Sequence, residues 1–89
     1  MDLVIESERI VLKDIGQEAG EITWVKENNV LNVEHTIVNE NYSGMGIGKK
    51  LIKALVEYAR KEELLINPIC PYAKAQIEKN EEYHDVLQG

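Results

Sequence analysis

The hydrophobic period of this chain changes once, from two to nearly four, and the change falls on three alternating glycines, Gly44, Gly46 and Gly48. Before them apolar and polar residues alternate as in half-buried strands. After them Ile47, Leu51, Ile52, Leu55, Val56 and Ala59 recur at helical spacing. A chain patterned this way reads as strands, a sharp glycine bend and an amphipathic helix. Glycine inside regular structure costs about 0.5–1 kcal/mol relative to alanine. Three of them in so short a span therefore mark either a tight turn or a place where backbone approaches something closely.

The strands are legible in pieces. Residues 8–14 (ERIVLKD) put Ile10 and Leu12 on one face, and residues 15–20 (IGQEAG) read as a turn. Residues 20–28 put Ile22 and Trp24 on one face and Thr23 and Val25 on the other, with Trp24 expected in the core. A hairpin loop is expected over 27–29. In residues 30–38 (VLNVEHTIV), alternation gathers Leu31, Val33, His35 and Ile37 on one face and Asn32, Glu34 and Thr36 on the other. On that parity His35 is a packed, hydrogen-bonded histidine. Short turns make an antiparallel meander the simplest arrangement.

After a loop over 39–44, the helix begins near Gly46 and runs for about four turns. Residues 63–69 (ELLINPI) read as a short strand buried on both faces. The intervening helix permits a parallel crossover to it. Pro71 suits the first position of a second helix with Cys70 as its cap, and residues 81–87 read as a further helical turn. The order β-β-β-α-β-α-α implies an α/β (α+β) fold: a mixed β-sheet with antiparallel N-terminal strands, a central helix after the glycine loop, a short strand and C-terminal helices.

With 89 residues the chain reads as one minimal domain over 1–89. Its net charge of −6 argues against binding nucleic acid through phosphates. No apolar run approaches the ~20 residues that span a bilayer, so no membrane association is expected. The first ten residues lack the basic region of a secretory signal. A single cysteine, Cys70, gives no disulfide framework and suits a reducing, cytoplasmic setting. Two histidines and one cysteine, widely spaced, form no metal-site pattern, and His84 reads as surface.

The charge is unevenly spread. Residues 1–40 hold nine acids against three bases, whereas residues 41–61 hold Lys49, Lys50, Lys53, Arg60 and Lys61 against Glu57 alone. A glycine loop that opens a basic helix is an anion-binding arrangement, because first-turn N–H groups lack intrahelical partners and the helix dipole favours negative charge there. The nucleotide P-loop pattern fails, since Lys50 stands where its hydroxyl residue belongs and Ser43 where its first glycine does. The dinucleotide pattern fails at Lys49, and antiparallel rather than parallel strands precede the loop.

SGMGIGKKL (43–51) instead resembles the pyrophosphate-binding loop of GNAT-superfamily N-acetyltransferases, Arg/Gln-x-x-Gly-x-Gly/Ala. Gly46 and Gly48 match its glycines; Ser43 departs from it at the Arg/Gln position. EHTIV before the loop and PICPYAKAQIEKNEEYHDVL after the helix, with the overall length, resemble the small YjdJ-type GNAT-like family over residues 8–87.

The resemblance implies acetyl-CoA (coenzyme A) as the acyl donor. By it, backbone groups of Ile37 and Val38 would line the acetyl–pantetheine arm. N–H groups of Met45, Gly46, Ile47, Gly48 and Lys49 would hold the pyrophosphate, and Gly44, Gly46 and Gly48 would permit its approach. Ordinary members carry Asn-x-x-Ala-x-x-x-Tyr after the last strand. Here Cys70 takes the asparagine position, Ala73 matches and Ile77 replaces the tyrosine, which leaves Tyr72 and Tyr83 as alternative phenols. Cys70, at a helix N-terminus that favours thiolate, is the candidate catalytic residue. It either accepts the acetyl group or handles the leaving thiolate; the bland alternative is a small buried cap. The implied activity is an acetyl-CoA-dependent N-acetyltransferase acting on an unidentified amine or protein. The alternative is a non-catalytic coenzyme A or acyl-CoA binding module. With only strands before the loop, the acceptor site is expected to be open or completed by a partner, and Glu34 and Thr36 are candidate water or amine contacts.

Overall fold

The structure, a computed structural model, describes residues 1–88. Five strands form one sheet in the order β1-β2-β3-β4-β5. They are β1 (Asp2–Glu6), β2 (Arg9–Asp14), β3 (Gln17–Glu27), β4 (Val30–Val38) and β5 (Leu65–Pro68). The helices are α1 (Ile47–Lys61) and α2 (Pro71–Lys79), with 3-10 turns over Glu40–Tyr42 and Glu81–Val86. The first four strands are antiparallel neighbours, and β5 joins β4 in parallel through α1.

Strand β1 had no clear signal. It is a sheet edge with one partner, and its Leu3 and Ile5 remain half exposed. The turn expected over 15–20 shrinks to Ile15 and Gly16, because Gly16 reverses the chain at φ 75° and the polar Gln17 and Glu18 already pair with Asp14 and Lys13. Both helices pack on one face of the sheet. Ile47, Leu51, Ile52, Leu55, Val56 and Ala59 of α1 and Ala73 and Ile77 of α2 share a single core with Ile10, Ile22, Trp24, Leu31, Val33 and Ile66. Trp24 also stacks on Tyr58 at 5.5 Å between ring centroids. Strand β5 corrects its two-face reading. Only Ile66 is buried, since among the described residues no layer covers the sheet's second face.

Strand β4 corrects the parity of its second half. Trp24 opposes Val33 and Thr23 opposes His35, so Glu34 is an extra residue in the ladder. One inserted residue turns every later side chain to the other face. Leu31 and Val33 point to the core, but beyond the bulge it is Thr36 that lies on the helix side, opposite buried Ile22. His35 and Ile37 lie on the open face and are exposed. His35 is therefore not a packed core histidine.

Candidate functional site

The site grows from the end of the β4–β5 pairing. Val30 to Val33 pair with Leu65 to Pro68, and there the ladder stops. The N–H groups of Ile69 and Cys70 both donate to the carbonyl oxygen of Val33, at 3.0 and 2.9 Å. That double contact closes the bottom of a V. Above it, among the described residues, no strand lies beside Thr36 and Val38 on that edge. Asn39 donates its N–H to Ala19 on β3, and alternation then turns the Ile37 backbone to β3 as well. Thr36 and Val38 thus present their backbone groups to the gap, and Ile37 does not.

Cys70 sits at the apex of the V as the N-cap of α2, with Pro71 at the first helical position. It is 8% exposed, and its Sγ lies 3.6 Å from Thr36 Oγ1. Burial pushes the thiol pKa up. The N–H of Ala73, the Thr36 hydroxyl and the N–H groups of Tyr72 and Thr36 outweigh it, so the thiol is held below its ordinary value. Cys70 is thus the buried N-cap residue of α2, with its thiol held below the ordinary value.

The glycine loop ends on Gly46, the N-cap of α1, at φ 71°, a left-handed conformation that disfavours other residues. It has no side-chain cap, and the first α-helical bond runs from Lys50 N–H to the Gly46 carbonyl. The N–H groups of Ile47, Gly48 and Lys49 therefore have no intrahelical i−4 acceptor. A Cβ on Gly44 or Gly46 would meet nothing within 4 Å, so the space above the loop is open. The Met45 N–H is instead turned inward to the Tyr42 carbonyl at 3.3 Å. Gly48 has a second role that its motif position hides. A Cβ there would stand 2.5 Å from the Tyr72 hydroxyl oxygen, so Gly48 admits the phenol of α2 against α1. Burial raises the Tyr72 pKa, which keeps that hydroxyl protonated.

The loop is anchored from below. Tyr42 is buried and donates its hydroxyl to Asp14 Oδ2 at 2.8 Å, while Asn39 Nδ2 donates to the Glu18 carbonyl at 3.2 Å. Beside the α1 N-terminus a cavity of about 160 Å³ opens between the helices, lined by Lys49, Ile52, Gln76, Lys79, Asn80 and Tyr83. A larger cavity, about 500 Å³, lies elsewhere, between β1 and α1 around Leu3 and Ala54, and contains neither the gap nor the loop. The contact of Thr36 with Cys70, Lys79 and the Tyr42–Asp14 tether were missed from sequence. Only the bulge brings Thr36 to the sulfur, and the tether spans 28 residues of chain. Among the described residues no cluster of metal-ligating side chains occurs, and no helix is long and apolar enough to cross a membrane.

Known proteins share this fold. Residues 9–86 match the family model of the GCN5-related N-acetyl-transferases. A Staphylococcus aureus protein described as a GCN5-like N-acetyltransferase is 37% identical, with a TM-score of 0.80, over 99% of this chain and 88% of that one. A Bacillus anthracis protein described as a streptothricin acetyltransferase, solved with acetyl coenzyme A, is 26% identical with a TM-score of 0.55, over 68% of this chain and 37% of that one. The ribosomal-protein-S18-alanine N-acetyltransferase of Escherichia coli shares the fold, with a TM-score of 0.66 at 17% identity, over 80% of this chain and 49% of that one. This chain thus spans about half or less of the two latter proteins. No curated protein matches the sequence significantly. By family, fold and loop, the chain belongs to the GCN5-related N-acetyltransferases, enzymes that take their acetyl group from acetyl-CoA.

Proposed function

We propose that this chain transfers acetyl from acetyl-CoA to an amine through Cys70. The Ile47, Gly48 and Lys49 N–H groups, with Lys49 and Lys50 at the rim, bind the pyrophosphate. The cleft carrying Lys49, Lys79 and Tyr83 takes the nucleotide end. The free backbone groups of Thr36 and Val38 pair with the pantetheine amides, and the arm laid in the V brings its thioester to Cys70. The chemistry needs a nucleophile and stabilisation of the oxyanion. Cys70 attacks as thiolate, its C–S bond forms as the C–S bond to coenzyme A breaks, and the coenzyme leaves as a thiolate, with Tyr72, its phenol kept neutral by burial, as the proposed proton donor. An amine then takes the acetyl group and frees the Cys70 thiolate. Residues 1–89 act as one unit in the cytoplasm.

The observation that carries this reading is Cys70 Sγ at the apex of the V, held below its ordinary pKa by N–H groups and the Thr36 hydroxyl. Incubation with acetyl-CoA alone is expected to add one acetyl group at Cys70, labile to hydroxylamine and absent from Cys70→Ala and Cys70→Ser. Unchanged turnover of amines by both variants would remove the acyl-enzyme. A second reading, a coenzyme A binding module, is favoured by Ile77, which is fully buried in the core and puts no phenol at the usual position. Binding of acetyl-CoA with neither acetylation of Cys70 nor amine turnover would select it.

A further inference from the structure

We infer that β1 is an interface for a second copy of this chain: two β1 edges pair antiparallel about a twofold axis at Leu3 and join two sheets into one. The inference stands apart from the acetyl-transfer reading, since β1 lies at the edge of the sheet opposite the β4–β5 gap.

The inner strands fix what this edge offers. Trp24 N–H donates to the Glu8 carbonyl, so Glu8, Ile10 and Leu12 turn their backbone groups to β3. Arg9, Val11 and Lys13 then bond β1 through Glu6, Val4 and Asp2. Leu3 and Ile5 are left with N–H and C=O groups that point outward. Their side chains oppose the core residues Leu12 and Ile10, so they lie on the helix side, 52% and 53% exposed. Beside them two cavities of about 500 and 290 Å³ run between β1 and α1 and share Leu3, Ala54 and Glu57. A bare sheet edge is ordinarily blunted by lysine, proline, a bulge or a cover. The opposite edge has two of these: β5 ends in Pro68, and Leu87 bridges Ile66 while Gln88 N–H donates to the Ile66 carbonyl. Strand β1 carries neither lysine nor proline, keeps an unbroken register with β2, and has no cover among the described residues.

The edge complements itself. A twofold axis at Leu3 sets Leu3 opposite Leu3 of the second copy and Ile5 opposite its Met1, all of them outward-facing positions. Opposed residues share a face, so Met1, Leu3 and Ile5 of both copies form one apolar row on the helix side. Met1 is half exposed and lines the larger cavity of its own copy; its flexible thioether also fills the space beside Ile5 of the other. Charge selects this register. An axis at Val4 would set Asp2 against Glu6 of the other copy on both sides, and like charges directly opposite are destabilising. An axis at Ile5 would set Leu3 against Ser7 in the turn. At Leu3, Asp2 meets only Val4. A five-residue edge buries less than the ~1,600 Å² of a standard interface, so the dimer is weak and reversible. The net charge of −6 on each copy opposes its formation, and salt screens that repulsion. Both β4–β5 gaps lie at the far ends of the joined sheet and stay open.

The test follows the mass of the intact protein by sedimentation from about 1 μM to 1 mM. Mass is expected to rise from one chain to two, and to do so at lower concentration when salt is added. Leu3→Lys sets two like charges opposite each other across the axis and weakens association by about tenfold or more. Leu3→Glu does the same. An equimolar mixture of the two variants recovers the dimer, because only this register opposes position 3 to itself. Ile5→Pro removes an outward N–H without removing a β1–β2 bond, and it too weakens association. When dilute, each variant keeps the wild-type amide NMR shifts outside residues 1–13, so the loss is not unfolding. One-chain mass of the wild type at every concentration, mass that climbs past two chains, wild-type association of Leu3→Lys, or no recovery in the mixture overturns the inference. Should Leu3→Lys fail to fold, unchanged association of Ile5→Pro overturns it instead.

Discussion

Cys70 Sγ and Thr36 Oγ1 meet 3.6 Å apart across the point where β4 and β5 separate. The contact joins residues 34 positions apart and exists only because the Glu34 bulge turns Thr36 to the helix side. The hydroxyl is one of the groups that hold the Cys70 thiol low against the opposing effect of burial. Thr36→Val keeps the shape of the side chain and removes that group. The thiol pKa is then expected to rise, and one unit of rise lowers the thiolate fraction about tenfold. Alkylation by iodoacetamide at pH 7 should slow by a factor of that order, and the pH profile of alkylation should move to higher pH. An unmoved profile would mean that backbone N–H groups alone act on the sulfur.

Gly48 and Tyr72 separate two reasons for a glycine. If Gly48 is there for a phosphate, Gly48→Ala weakens acetyl-CoA binding whatever stands at position 72. The structure points to the phenol, whose hydroxyl oxygen would be 2.5 Å from the new Cβ. Tyr72 is 38% exposed, so it is expected to swing out rather than unfold the seam. Alanine itself favours the helix by about 0.8–1.0 kcal/mol over glycine. Gly48→Ala should therefore leave Tm nearly unchanged or raised, while weakening turnover through the displaced phenol. Gly48→Ala combined with Tyr72→Ala should behave as Tyr72→Ala alone. A double variant that binds acetyl-CoA worse than Tyr72→Ala would restore the phosphate role.

Legibility in the sequence divides along local and non-local lines. The α1 stripe from Ile47 to Ala59, the Pro71 start of α2 and its Cys70 cap depend on residues a few positions apart, and all appear as expected. The glycine loop was legible for the same reason. The face of His35 was not, because strict alternation contains no sign that Glu34 will be squeezed out of the ladder by the pairing of Trp24 with Val33. Strand β1 escaped because Leu3, Val4 and Ile5 are too few to show a period, and its order comes from pairing with Ile10, Val11 and Leu12. Contacts made by distant pairing, that of Thr36 with Cys70 above all, were therefore the ones missed.

The open face is held by charge. Arg9 bridges Glu6 at 2.8 Å, Glu21 at 2.9 Å and Glu18 at 3.3 Å. Val11, fully buried yet outside the main core, lies on this face between Arg9 and Lys13. Arg9, then Lys13, lowers the Glu6 pKa. A carboxylate whose folded pKa is depressed adds stability above its unfolded pKa and loses it as pH falls through the folded value. Thermal stability is thus expected to fall on acidification below the unfolded glutamate range. Arg9→Gln should flatten that fall and lower Tm at neutral pH, with the deficit shrinking in high salt because exposed pairs are screened. A variant with the wild-type acid limb would show that Glu6 owes its shift to Lys13.

The Tyr42–Asp14 hydrogen bond ties the β2–β3 hairpin to the glycine loop. Tyr42 accepts Met45 N–H on its carbonyl and donates its hydroxyl to Asp14, so one residue couples the glycine loop to a turn far away in sequence. Tyr42→Phe keeps the buried ring and removes only the tether. Loss of pre-organisation costs binding more than fold, so acetyl-CoA affinity is expected to drop by about three- to tenfold, with faster amide exchange at Gly44–Gly46 and Tm little changed. Asp14→Asn should give a milder loss, because an amide oxygen still accepts the phenol. The Asp14 pKa is held down by the Ile15 N–H first and Tyr42 second. Wild-type affinity should therefore weaken as pH falls through the folded Asp14 value, and Tyr42→Phe should be insensitive to that step. Equal exchange rates at the loop in wild type and Tyr42→Phe would show that packing of the ring alone positions the cradle.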